Sequence, residues 1–303
     1  MKTTEPQRPT TGSGSASAAP KRLLLVWAAT VLVLFAATTV AIVRTGPAPA
    51  TDFLALEWQP REQPGEAAPQ APADPAVDLD TEIPRILSKN GGYRIGVVLV
   101  DTQGGESQAY GDMSPYVAAS TAKIITAAAY YHLVETGEKT LDVPMGSFDA
   151  AFQLKAMVNT SSDDSWLLLM QDIGYPQLIA YAASIGINYD PEQNLMTPAE
   201  MALLLQQLSS GKLLNAEHTD ELLGYMQQTN NERLIPAAVD PDITVHHKYG
   251  EVEGYVHDAA ILSSGGRSYA LTIYTWGEDA ESEARLGVIH ELTRKVTESL
   301  FGR

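Results

Sequence analysis

The sequence predicts an α+β domain on three observations: strand patterns lie near both ends of its folded part, helical periodicity fills the middle, and an amphipathic helix closes the chain. Strands separated by a helical block share one antiparallel sheet built from the two ends of the segment. The middle is left to form an all-helical lobe beside it, with the remaining helices flanking the sheet.

Each element carries its own signal. Residues 93–101 form a β-branched apolar run, Gly104 and Gly105 turn the chain, and residues 107–110 return as a hairpin partner. Helical patterns then occupy residues 121–135, 151–158, 166–173, 176–185 and 197–208. The last has a complete start signal: Thr197 caps it, Pro198 takes its first position and Glu200 closes a capping box. Strands return at 243–249, 256–263 and 269–276, and Gly265-Gly266 makes a tight hairpin between the last two. On the closing helix Leu286, Ile289, Leu292, Val296 and Leu300 fall on one face.

Composition bounds the function. With 45% hydrophobic residues the chain can bury a substantial core, and a net charge of −17 withholds the clustered Lys and Arg that a nucleic-acid partner needs. Cysteine is absent, which removes disulfides, thiolate chemistry and cysteine-held metal. His246 and His247 are neighbours on a strand and so face opposite ways, a poor arrangement for joint metal ligation, and neither a metal nor a cofactor is expected.

Residues 23–43 are an uncharged apolar run of 21 residues, long enough to cross a bilayer as a helix. Lys21 and Arg22 precede the run and acidic residues follow it, so residues 1–22 are expected to be a disordered cytoplasmic tail and everything after Val43 to lie outside the membrane. Ala48-Pro49-Ala50 leaves open a cleaved signal peptide instead of a signal-anchor. Residues 44–79 are rich in proline and read as an extended linker, leaving residues 80–303 as the folded domain.

Three short motifs occur in order: Ser120-Thr-Ala-Lys123, Ser162-Asp163-Asp164 and Lys248-Tyr249-Gly250. Chance matches exist at Ser209-Ser-Gly-Lys212 and Lys89-Asn-Gly91, but context separates them. Ser120 opens an apolar helix, which puts Lys123 one turn on along the same face, within reach of the serine hydroxyl. A serine is a poor nucleophile until its proton is taken, and a lysine takes it when burial and a second cation, here Lys248, disfavour the charged amine.

These motifs resemble the S-x-x-K, S-D-N and K-T-G set of class A β-lactamases and penicillin-binding proteins. The segments YVAASTAKIITAAAYY, MVNTSSDDSWLLLMQDIG, NLMTPAEMALLLQQL and VHHKYGEVEGYVHDAAIL carry the likeness across residues 92–276. It implies a β-lactamase-like fold and acyl-enzyme chemistry on β-lactam or D-Ala-D-Ala-like amides, in a monomer held at the bacterial cell membrane with its catalytic domain outside. Ser120 is then the nucleophile and Lys123 its base. Ser162 relays a proton to the leaving nitrogen, and Asp164 orients the substrate amide. Lys248, Tyr249 and Gly250 line the substrate site, and the backbone N–H groups of Ser120 and Glu251 form the oxyanion hole. His257-Asp258 resembles a structural strand-entry position.

Three departures bear on activity. An aspartate ends the middle motif where the family has asparagine, and when ionised it accepts hydrogen bonds but donates none. Tyr249 puts a bulky phenol where a small hydroxyl is usual. No E-x-x-L-N string appears, and between Gly186 and Thr197 the one glutamate is Glu192. The expectation is an acyl-enzyme that forms faster than it breaks. A module that keeps the fold but binds cell-wall material or a protein without catalysis is the alternative.

Overall fold

The computed structural model describes residues 77–105, 107–278 and 282–302. The expected tail, transmembrane helix and most of the linker lie outside these residues; among the described residues no helix is long and apolar enough to cross a membrane. Helix α1 (Leu79–Lys89) opens the fold, with the Asp78 side chain accepting from Asp80 N–H. Leu79 is buried, so the folded domain reaches into the stretch read as linker.

Strands β1 (Arg94–Asp101) and β2 (Ser107–Gly111) form the expected hairpin, and a two-residue strand β3 (Tyr116–Val117) leads into a 3-10 turn, Ala119–Ala122. Helix α2 (Lys123–Glu135) follows directly, then a small hairpin of β4 (Pro144–Met145) and β5 (Phe148–Asp149). Helices α3 (Ala150–Asn159), α4 (Asp163–Ile173) and α5 (Tyr175–Ser184), strand β6 (Leu195–Met196) and helices α6 (Pro198–Ser209) and α7 (Ala216–Tyr225) complete the helical part. The chain ends with β7 (Thr244–Val252), β8 (Tyr255–Ser264), β9 (Arg267–Trp276) and α8 (Ser282–Phe301).

The five long strands form one antiparallel sheet in the order β2-β1-β9-β8-β7, so the two ends of the domain pair as predicted. Both faces of the sheet are covered. Val98 and Val100 join the core of the helical lobe, while Ile95, Val97 and Leu99 on the alternate face pack with Ile83 of α1 and Ile289 and Leu292 of α8. Helix α2 runs through the lobe with every residue from Lys123 to Tyr131 buried, the environment expected of a helix apolar on all sides. The capping box at Thr197 is present, Glu200 N–H donating to Thr197 Oγ1 and Thr197 N–H to Glu200 Oε2.

Two helices escaped the periodicity. Helix α1 contains Pro84, a residue that reads as a break and that this helix carries in its interior. Helix α7 is polar along much of its length, and its start is fixed by Asn215 accepting from His218 N–H.

Candidate active site

The site forms where the start of α2, the loop before α4 and the edge strand β7 meet. Tyr116 and Val117 pair with Met196 and Leu195, which brings the loop after residue 190 against the 3-10 turn. Asn194 then ties the turn in place, its carbonyl accepting from Ala118 N–H at 2.7 Å and its Nδ2 donating to Ala119 O at 3.0 Å. Ala119 is held at φ +50°, a region an alanine enters only when its surroundings enforce it. Behind the turn, Thr121 Oγ1 lies 2.5 Å from Tyr274 OH, and His257 stacks on the Tyr274 ring at 4.1 Å. His257 Nδ1 accepts from Thr275 N–H, so Nε2 carries the proton it donates to Val117 O; burial holds this imidazole neutral, down at about 4. His257 thus braces the site from inside the sheet.

Lys123 is wholly buried, and its ammonium donates to Ser120 Oγ at 3.0 Å, Ser161 O at 2.8 Å, Ser161 Oγ at 3.2 Å and Asp163 Oδ1 at 2.6 Å. Lys248 comes from β7 and donates to the same Ser161 Oγ at 2.9 Å and to its neighbouring carbonyl, Tyr249 O, at 3.0 Å. One serine hydroxyl is therefore shared by two buried amines. Burial lowers the pKa of Lys123, against the opposing pull of Asp163. Burial and the charge of Lys123 push Lys248 down to about 7, with Asp258 and Asp163 resisting.

The middle motif is displaced by one residue from its predicted frame. Ser161, not Ser162, stands between the lysines, and Asp163, not Asp164, pairs with Lys123. Ser162 is the N-cap of α4, its Oγ accepting from Ser165 N–H at 3.2 Å, while Asp164 lies exposed in the first helical turn. Ser161 itself sits at φ +57°, which turns its carbonyl and hydroxyl back toward Lys123. The signal that separates the two serines is capping: the serine directly before a helix is taken by the backbone, so the one preceding it is available to the site.

Gly250 lies against the 3-10 turn, where a Cβ would sit 2.9 Å from Ser120 N and 3.0 Å from Ala118 O. That close approach brings the edge strand of the sheet beside the backbone N–H of Ser120. Tyr249 does not project as a small hydroxyl would. Its ring lies 4.1 Å from Lys248 Nζ, and its OH donates to Asn230 Oδ1 at 3.0 Å, while Asn230 Nδ2 donates to Thr160 O at 2.8 Å. The side chain of Glu251 turns to Arg233, 2.9 Å away, and to Asn231.

The loop expected to hold a deacylating base is short. Glu192 is exposed, its N–H donating to Asp190 Oδ1; the Asp190 carboxylate also accepts from Gln193 N–H and Gln193 Nε2. The Asp190 carboxylate thus shapes the loop, and Glu192 takes part in it through its backbone. Behind Lys248, His247 is buried with Nδ1 2.9 Å from Asp258 Oδ1 and Nε2 near Thr229 and Glu232. Burial opposes its charge, but Asp258 and Glu232 outweigh it and raise His247 to about 9, while Glu232 is drawn down to about 2, chiefly by its hydrogen bond to His247.

This architecture has relatives. A model of the β-lactamase enzyme family matches residues 78–150 and 147–300. The CTX-M-8 β-lactamase of Citrobacter amalonaticus is 24% identical over 251 residues, which span 70% of this chain and 86% of that protein. An ancestral class A β-lactamase superposes with a TM-score of 0.68 at 26% identity, covering 74% of this chain and 100% of its own. PBP-A, with a TM-score of 0.68 over 77% of this chain and 99% of its own, is 21% identical and shares the fold. With the family match running through almost the whole folded domain, the chain belongs to the β-lactamase enzyme family, within the class A β-lactamase and penicillin-binding superfamily of serine hydrolases.

Proposed function

We propose that the domain is an acyl-enzyme-forming hydrolase acting on β-lactam or D-Ala-D-Ala-like amides. The carrying observation is the hydroxyl of Ser161 shared by Lys123 and Lys248, with Ser120 Oγ 3.0 Å from Lys123 Nζ. In this reading neutral Lys123 takes the Ser120 proton as Oγ attacks the carbonyl carbon. The oxyanion that forms is held by the N–H groups of Ser120 and Glu251, a contribution of about 3 kcal/mol. As the carbon–nitrogen bond breaks, Ser161 passes its proton to the leaving nitrogen and recovers one from the lysines. Deacylation is slow, a reading supported by the exposure of Glu192 and the three hydrogen bonds that occupy Asp190.

The domain works outside the membrane of a bacterial cell, as a monomer, on a stalk that ends before Leu79 and is anchored by residues 23–43; the supports are the length of the apolar run and the charge asymmetry about it. Intact-mass analysis of the full chain after penicillin exposure tests the chemistry. We expect a persistent adduct of one penicillin, lost in Ser120→Ala, with little turnover of a chromogenic cephalosporin. Rapid turnover would overturn slow deacylation, and no adduct would overturn the enzyme reading.

One pair of observations favours a second reading, a cleft that binds without reacting. Tyr249 covers Lys248, and Asp163 pairs with Lys123. Under that reading cell-wall binding survives Ser120→Ala unchanged; loss of binding in that variant would exclude it.

A further inference from the structure

We infer that the apolar cavity beside α4 is the acyl-side subsite of the cleft, and that it takes an apolar side chain bearing a protonated amine next to the carbonyl under attack. The inference rests on the acyl-enzyme reading of Ser120 and names the substrate class that reading leaves open.

The cavity measures about 270 Å³ and is walled by Trp166, Leu167 and Met170 of α4 together with Tyr175 and Pro191. Asp163, Trp166, Leu167 and Met170 follow the spacing i, i+3, i+4, i+7, so one stripe of α4 presents a carboxylate at the N-terminal end and apolar surface beyond it. Leu167 is 57% exposed and Tyr175 41%, apolar surface that stays open to solvent where Pro191 and Asn194 of the 190–194 loop line the other side of the cavity. An apolar cavity of about 150 Å³ already admits benzene, so an aryl or branched aliphatic group fits here.

Position fixes which part of a substrate reaches it. Asp163 Oδ1 is 2.6 Å from Lys123 Nζ, which is 3.0 Å from Ser120 Oγ, so the mouth of the cavity is two hydrogen bonds from the attacking oxygen. Ser161 stands between Lys123 and Lys248, which sends the leaving group toward β7. The cavity lies on the α4 side of Lys123 and receives the acyl portion.

Charge fixes the functional group. An ionised carboxylate only accepts hydrogen bonds, and the Asp163 side chain is 85% exposed despite its contact with Lys123. A carbonyl or carboxylate oxygen placed there is repelled, whereas an ammonium gains a charge-assisted bond. An ammonium seated on Asp163 also competes with Lys123 for that carboxylate and so loosens the hold on the base.

The test compares acylation of the full chain by a phenylacetyl penicillin and by its α-amino counterpart, read by intact mass. The α-amino compound should react faster, by about tenfold, the ratio expected of one charge-assisted hydrogen bond. In Asp163→Asn that ratio should fall to near one, and in Leu167→Asp both aryl donors should slow relative to a penicillin with a methyl side chain. A wild-type ratio of one or less, or a ratio that persists in Asp163→Asn, overturns the inference while leaving the acyl-enzyme reading intact. If no donor acylates, that reading fails, and calorimetric titration with phenylalanine amide against phenylacetamide decides the subsite. Tighter binding of the amine-bearing amide, lost in Asp163→Asn, sustains it; equal binding or none overturns it.

Discussion

On the proton of Lys123 two forces of opposite sign act: burial drives it off, and the carboxylate of Asp163 holds it on. The proposed chemistry needs the neutral amine, so acylation rises with pH as Lys123 deprotonates. Replacing Asp163 by asparagine removes the anion that favours the charged form. The acidic limb of the rate profile, followed by adduct formation from about pH 5 to about pH 9, should move to lower pH. A limb that stays in place would show that Asp163 does not control the base. At this scale much of the site was readable from spacing alone, since Ser120, Lys123, Lys248 and Gly250 stand where their motifs put them. The middle motif misled because Ser161-Ser162 and Asp163-Asp164 are doublets, and two frames fit the same letters. Only the helix start, with Ser162 spent on Ser165 N–H, decides between them. Asn194 left no trace in the reading, because its work is on the backbone of a turn distant in sequence.

Among the elements, the closest meeting is between β7 and the 3-10 turn. A methyl added at Gly250 meets backbone rather than flexible side chain, at 2.9 Å from Ser120 N, so neither partner yields locally. Gly250→Ala should therefore push the strand from the turn, destabilising the domain by about 1–3 kcal/mol and slowing acylation more than tenfold, as read by thermal melting and adduct mass. Wild-type rates in a folded Gly250→Ala would mean the strand edge plays no part. The sequence patterns placed six helices and the long strands because each had a period or a cap of its own. Helix α1 was hidden by Pro84 and α7 by its polar face, and both are held by tertiary contacts that local patterns do not encode. The bridge from Tyr249 through Asn230 to Thr160 was equally invisible, since it joins three separate segments.

For the molecule as a whole, the buried pair of His247 and Asp258, with the exposed Glu232 beside it, couples stability to pH. Folding raises His247 from 6.5 to about 9, so its contribution is fully present below about pH 6.5 and is lost as pH climbs through about 9. The shift corresponds to about 3 kcal/mol. Lys248 runs the other way, its buried charge being relieved as pH rises above about 7. Denaturant melts of wild type and His247→Asn isolate the histidine: the variant should be less stable at neutral pH by about 3 kcal/mol, with the gap closing toward about pH 10. A gap independent of pH would mean the imidazole is neutral in the fold. Glu232 adds stability above its usual range that is lost as pH falls through about 2. The left-handed backbone at Ala119 carries a further implication. A glycine there would relax the turn, at a cost in unfolded-chain entropy that nearly cancels the relief, leaving a gain of up to about 1 kcal/mol. The protein would then resist heat a little better while its nucleophile wandered, so that durability and reactivity are set against each other by a single methyl group.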